Sequence, residues 1–239
     1  MKWPLVIPIL LYCFGSFSRP LFILAFLGEV SYLGMRGLEL GRLPLIGPHD
    51  TLLFFSVSVG AMGLPLIFTS SLRHEISFRW SVGIMAGFFA LLALLFPAFA
   101  MPLPPILQTY WFEGHVLLAF FAYALFGIAA ILGTLFLWEK GLNIMELQYR
   151  VILLGYTFFS FSMISGGIWG YYAWGTYWLW TPKELWTSIL WLFYSFWLHL
   201  RLKGRVWDRA VSWGALLGFA ITLFTYLGVS MLMKSSHSF

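Results

Sequence analysis

His115-Val-Leu-Leu-Ala-Phe-Phe-Ala-Tyr-Ala-Leu-Phe-Gly-Ile-Ala-Ala-Ile-Leu-Gly-Thr-Leu-Phe-Leu137 holds no Asp, Glu, Lys or Arg. A helix needs roughly 20 predominantly apolar residues to cross a hydrocarbon layer of about 30 Å. This stretch therefore reads as a transmembrane helix. Similar runs occupy 20–38, 51–70, 80–99, 151–169, 184–200 and 211–233. Residues 3–18 are apolar as well, but short and interrupted by Pro4 and Pro8, so they read as either an eighth span or an interfacial segment. No small-residue cleavage site of the A-x-A kind follows them, and they are taken as mature chain. The runs are continuous rather than alternating, which excludes a β-barrel. The expected fold is all-α: a polytopic transmembrane helix bundle of seven or eight spans, forming one integral membrane domain over 1–239.

Composition points the same way. Of 239 residues, 61% are hydrophobic and only 10% charged. So few charges cannot cover a soluble globule of this size, which excludes a cytosolic enzyme, a nucleic-acid-binding module and a disordered chain. The lone cysteine, Cys13, rules out an internal disulfide framework, and without a CxxCH the chain is not itself a c-type cytochrome. The basic residues fall in short connections. Arg73, Arg79, Lys140, Arg150, Arg201, Lys203, Arg205 and Arg209 sit in one alternating set; Arg36, Arg42, Lys183 and Lys234 sit in the other. The richer set is assigned to the cytoplasm. The 36–50, 98–114 and 170–183 connections and the C-terminus then face outward.

Among those outer connections, 170–183 stands apart. Seven of the thirteen tryptophans lie between 169 and 197. An aromatic belt would be spread over both interfaces; these are gathered at one. Indole faces are large, rigid and apolar, and suit a flat apolar ligand. Gly170 and Gly175 let the backbone turn there. Thr181-Pro182-Lys183-Glu184 is a capping box with proline at the first helical position, so Thr181 has a structural task.

His115 and His237 lie on the same outer face and bracket this loop in sequence. Taken singly, each reads as a solvated helix-end residue. As a pair flanking an aromatic loop, they can supply both axial positions of a haem iron. His199 falls seventeen residues after Pro182 on one helix, about 26 Å deeper. It is either an intramembrane functional group or a helix-end residue that caps last-turn carbonyls. His74 reads as a solvated cytoplasmic residue, and His49, outer and beside Asp50, as a turn residue or one that touches an outer ligand; Asp50 can also cap the following span. Glu29 and Arg36, seven apart on one helix face, read as an internal ion pair or a snorkelling arginine. Glu113 and Glu184 are single carboxylates, and no phosphate loop or HExxH is present.

The run Trp174-Gly175-Thr-Tyr177-Trp178-Leu-Trp180-Thr-Pro182-Lys183-Glu184-Leu-Trp186, continuing to Trp197-Leu-His199-Leu-Arg201, resembles the tryptophan-rich "WWD" region of the cytochrome c assembly family, in its CcsA/ResC branch of the system II pathway. Gly41-Arg-Leu-Pro44, Gln108-Thr-Tyr-Trp111 with His115, and Gly228-Val229 with His237-Ser238-Phe239 resemble further pieces in the right order, covering 38–239. The resemblance implies a haem-handling protein of the bacterial inner (cytoplasmic) membrane or a thylakoid-type membrane. Such a protein presents haem b on its outer face for attachment to apocytochrome c CxxCH thiols, beside a ResB/CcsB-like partner, as part of a holocytochrome c synthase. It assigns axial ligation to His115 and His237, and haem contact to Trp174, Gly175, Trp178 and Trp180. It assigns His199 to an intramembrane haem site shared with the partner. Where the family carries Asp, this chain has Thr181, which keeps the N-cap but removes a carboxylate. Lys183, Arg42 or Lys234 can pair with propionates. No catalytic residue and no nucleic-acid partner is expected. A b-type electron-transfer subunit, or a non-catalytic scaffold or regulator of the same fold, are the alternative readings.

Overall fold

A computed structural model describes residues 3–15, 18–69, 75–100, 102–139 and 142–233. Among the described residues every regular element is helical. Six helices are long and apolar enough to cross a membrane, spanning Arg19–Leu40, Pro48–Phe68, Glu75–Leu95, Tyr110–Trp138, Asn143–Trp174 and Arg205–Leu232. The chain is a multi-pass helical membrane protein. It divides into two compact units, Met1–Leu103 and Pro104–Phe239.

The first unit holds α1 (Val6–Gly15), α2 (Arg19–Leu40), α3 (Pro48–Thr69) and α4 (Glu75–Leu95). Helix α1 has ten residues, about 15 Å, so it is too short to cross alone. It packs instead against α2 and α4. Ser18 caps α2 by accepting the Leu21 N–H, and Gly41, in the left-handed region at φ 63°, ends it. The stretch expected at 80–99 stops at Leu95, because Pro97 drives the residue before it out of helical backbone.

Two polar groups lie inside this unit, and they are not partners. Glu29, at the midpoint of α2, is fully buried and accepts a hydrogen bond from the Tyr12 hydroxyl at 3.2 Å. Arg36 instead binds Asp50 of α3, with Nε 3.1 Å from Oδ1. Seven residues separate Glu29 from Arg36 by about 10 Å along the axis, and the first turn of α3 offers the arginine a nearer carboxylate. Neither of the two arrangements expected, an ion pair between Glu29 and Arg36 or a snorkelling arginine, is found: the two side chains make separate polar contacts, and that of Arg36 is only 6% exposed.

The second unit holds α5 (Tyr110–Glu139), α6 (Leu142–Trp174), α7 (Pro182–Leu202), α8 (Asp208–Leu223), a π-helical turn (Phe224–Gly228) and α9 (Val229–Leu232). Helices α5 and α6 pack along each other, and α8 lies against α5. At 30 and 33 residues they run about 45 and 50 Å, longer than the hydrocarbon layer is thick, so their ends reach headgroup depth. The core between them is aromatic. Phe126 stacks on Tyr194 with centroids 3.7 Å apart, and Tyr226 in the π turn packs edge-on to Phe120 at 5.2 Å. Helix α7, with 21 residues, has the length of a span but a more polar sequence, including Lys183, Glu184 and Arg201.

Candidate functional site

The α6–α7 connection is built by three local devices. Gly175, at φ 73°, ends α6 in a left-handed turn, with its N–H donating to the Tyr171 carbonyl at 2.9 Å. Thr181 starts α7: its hydroxyl accepts the Glu184 N–H, and Glu184 reaches back to the Thr181 N–H at 2.8 Å, the capping box expected from the sequence. The same Glu184 oxygen also accepts the Leu179 N–H at 3.0 Å. Between these two anchored amides sits Trp180, held at φ 57°. Few non-glycine residues adopt that conformation, and it costs on the order of 1–2 kcal/mol. A single buried carboxylate thus clamps both flanks of a strained tryptophan.

The loop's aromatic side chains divide into two groups. Trp174 is half-buried and meets Trp169 edge-on at 4.8 Å. Trp169 is buried, packs on Phe112 at 5.4 Å, and donates its indole N–H to the Ile106 carbonyl at 2.9 Å. It pins the segment before α5 to the end of α6, a task the sequence did not reveal. Trp178 is half-buried, while Trp180 is 69% exposed and Tyr177 is exposed as well. The loop backbone folds back on α6: a Cβ at Gly170 would come 3.3 Å from the Thr176 carbonyl and 3.6 Å from that of Tyr177.

His115 lies in the second turn of α5. Its Nδ1 is 2.8 Å from the Ser162 carbonyl of α6. A carbonyl only accepts, so Nδ1 carries the proton and Nε2 keeps its lone pair. No hydrogen bond engages Nε2 among the described residues. Metal-binding imidazoles are held in this way, one nitrogen tied to a carbonyl and the other left for the metal.

Lys183 stands at the start of α7, where the helix dipole is already positive. Its Nζ donates to the Ser230 hydroxyl at 3.2 Å. Among the described residues it has no carboxylate partner, because Glu184 next to it is turned to the loop amides. A cation so placed favours a carboxylate-bearing ligand.

His199 sits seventeen residues beyond Pro182 on an unbroken helix. It is exposed, and its Nδ1 donates to the Ser195 carbonyl at 2.7 Å, again leaving Nε2. It shares a stripe with the exposed Leu185, Ile189, Leu192 and Phe196. His115, Lys183 and the tryptophan loop thus share one end of the second unit, and His199 stands apart from them. His237 and Lys234, with Arg73, His74 and Lys140, lie outside the described residues. His49, in the first unit, is buried. It donates from Nδ1 to Asp50 at 2.8 Å, has Nε2 3.4 Å from the Tyr32 hydroxyl, and borders a cavity of about 170 Å³ with Phe96, Pro97 and Phe99.

A family model described as cytochrome C assembly protein matches residues 46–237, and the chain belongs to that family. It is 37% identical over 154 residues to "Cytochrome c biogenesis protein CcsA" of Chlamydomonas reinhardtii, covering 59% of this chain and 43% of that one. It is 34% identical over 222 residues to "Protein NrfI" of Wolinella succinogenes, covering 86% of this chain and 24% of that protein. The match to CcsA of Guillardia theta is 26% identical and covers 91% and 83% respectively. The chain spans less than half the length of the first two.

Proposed function

We propose that this protein acts in cytochrome c maturation by holding haem at the outer face of its membrane and presenting it for attachment to apocytochrome c. The observation that carries this reading is His115, tied at Nδ1 to the Ser162 carbonyl with no hydrogen bond on Nε2 among the described residues, together with a Lys183 ammonium that has no carboxylate partner among them. An imidazole lone pair suits the iron and a cation suits a propionate. The aromatic loop between α6 and α7 supplies flat apolar area through Trp174, Trp178 and the exposed Trp180, with Gly175 making the turn. His237 would be the second axial ligand. His199, on its apolar exposed stripe, would serve a separate intramembrane haem site completed by a ResB/CcsB-like partner. The bias of basic residues orients the loop and the C-terminus outward, with α7 crossing as a seventh span, in a bacterial inner or thylakoid-type membrane.

Haem here is cargo. The task of these residues is to orient it with its reactive edge exposed while the incoming thiols add, which is positioning rather than acid–base chemistry. The full chain, purified from membranes, is expected to carry low-spin haem in its optical spectrum. His115→Ala should abolish that signal. Lys183→Ala should keep the spectrum and weaken haem retention about tenfold, the equivalent of one charge-assisted contact. A low-spin spectrum that survives in a His115→Ala/His237→Ala double variant would count against both ligand assignments.

A further inference from the structure

Ser162 and Gly166 are one helical turn apart on α6 and present small groups on one face. Both meet the ring of His115. The Ser162 carbonyl accepts a hydrogen bond from Nδ1–H at 2.8 Å. The Ser162 hydroxyl lies 3.1 Å from the same nitrogen and donates to the His115 main-chain carbonyl at 2.9 Å, so ring and backbone of α5 are tied to one residue. At Gly166 the contact is steric. A Cβ there would stand 2.6 Å from Nδ1 and 2.9 Å from Cε1, closer than any side-chain carbon tolerates. The imidazole therefore occupies the space that a side chain at 166 would fill.

We propose that Ser162 and Gly166 are the positioning residues of the haem ligand His115: the Ser162 carbonyl fixes its tautomer, the Ser162 hydroxyl ties its main chain to α6, and Gly166 admits its ring. The inference rests on the reading of His115 as that ligand and adds what aims it. The tautomer and the ring position are set before haem arrives, so binding orders little. Outer groups of this kind, when removed, cost about 10–100-fold in metal affinity.

The test compares the purified full chain in several variants by optical and electron-paramagnetic-resonance spectra of bound haem. Gly166→Ala should lower haem affinity about tenfold or more and convert the remainder from low to high spin. Added imidazole should restore the low-spin spectrum by taking the place of the displaced ring. Gly167→Ala is the control: its Cβ would lie 3.5 Å from the Tyr177 carbonyl, an ordinary contact, and the spectrum should stay as in the parent. Should Gly166→Ala fail to accumulate, Ser162→Ala decides: it keeps the main-chain carbonyl that fixes the tautomer but removes the hydroxyl beside Nδ1 and its tie to the His115 main chain, so its low-spin fraction should fall several-fold, with Ser162→Thr retaining the parent spectrum. A parent-like spectrum in Gly166→Ala or Ser162→Ala, with the signal lost in His115→Ala, overturns the positioning role and leaves the ligand role standing. Equal loss in Gly166→Ala and Gly167→Ala, without imidazole rescue, also overturns it. A parent-like spectrum in His115→Ala removes the ligand reading itself.

Discussion

Replacing Glu184 with alanine should release the whole tryptophan loop. In the parent, one carboxylate oxygen accepts the N–H groups of Leu179 and Thr181, on either side of a tryptophan held at φ 57°. Hydrogen bonds to a charged acceptor contribute about 1.5–3 kcal/mol each. Strain of this kind persists only while the surroundings over-determine it. Without the carboxylate both amides that flank Trp180 lose this acceptor, so Trp180 relaxes into ordinary backbone and its indole turns with it. The N-cap hydroxyl of Thr181 remains, so α7 itself still starts in place. Hydrogen exchange of the amides in 176–181 should accelerate by at least an order of magnitude, the scale set by 1.4 kcal/mol per tenfold. Amides inside α6 should keep their protection. Haem retention should fall with it, and Glu184→Gln, which keeps an acceptor without its charge, should fall between. Unchanged protection of 176–181 in Glu184→Ala would show that the loop is held by its aromatic contacts instead.

This clamp bears on the departure noted at Thr181. The family's carboxylate at that position is missing, yet a carboxylate does engage the loop, three residues later. Both halves of the capping box were legible because they are local: Thr, Pro and Glu at fixed spacing carry their own geometry. The transmembrane helices were legible for a similar reason, since length and apolarity alone decide them. What could not be read was the pairing between helices. Helix α5 is apolar on every side, so no stripe marks the face that meets α6, and lipid gives no hydrophobic drive to choose one. Hence the contact of His115 with Ser162, and that of Trp169 with Ile106, were not anticipated. A signal for the first was present in Ser162-x-x-x-Gly166, a small-residue pair that permits close helix approach. Glu29 and Arg36 were misjudged for the converse reason: both lie on α2, while their partners Tyr12 and Asp50 lie on α1 and α3.

That misjudged arginine carries the largest effect expected on stability. Arg36 and Asp50 have side chains only 6% and 4% exposed. Besides Asp50, the guanidinium donates to Glu39 at 3.3 Å and to the Phe99 carbonyl at 2.7 Å, so it joins α2, α3 and the segment after α4. Asp50 also accepts from His49. Removing one member of such a pair strands the other charge away from water, at a cost of about 3–5 kcal/mol, whereas removing both charges together costs far less. Arg36→Met, which keeps most of the side-chain volume, should therefore lower stability by about 3–5 kcal/mol in reversible denaturant unfolding of the detergent-solubilised protein. Arg36→Met/Asp50→Asn should recover most of that loss, because asparagine still accepts from His49 and carries no charge to strand. The difference between the double variant and the sum of the singles measures the coupling. Additive losses would mean that the arginine stabilises the unit through the Phe99 carbonyl and its packed stem, and that the buried ion pair contributes nothing of its own.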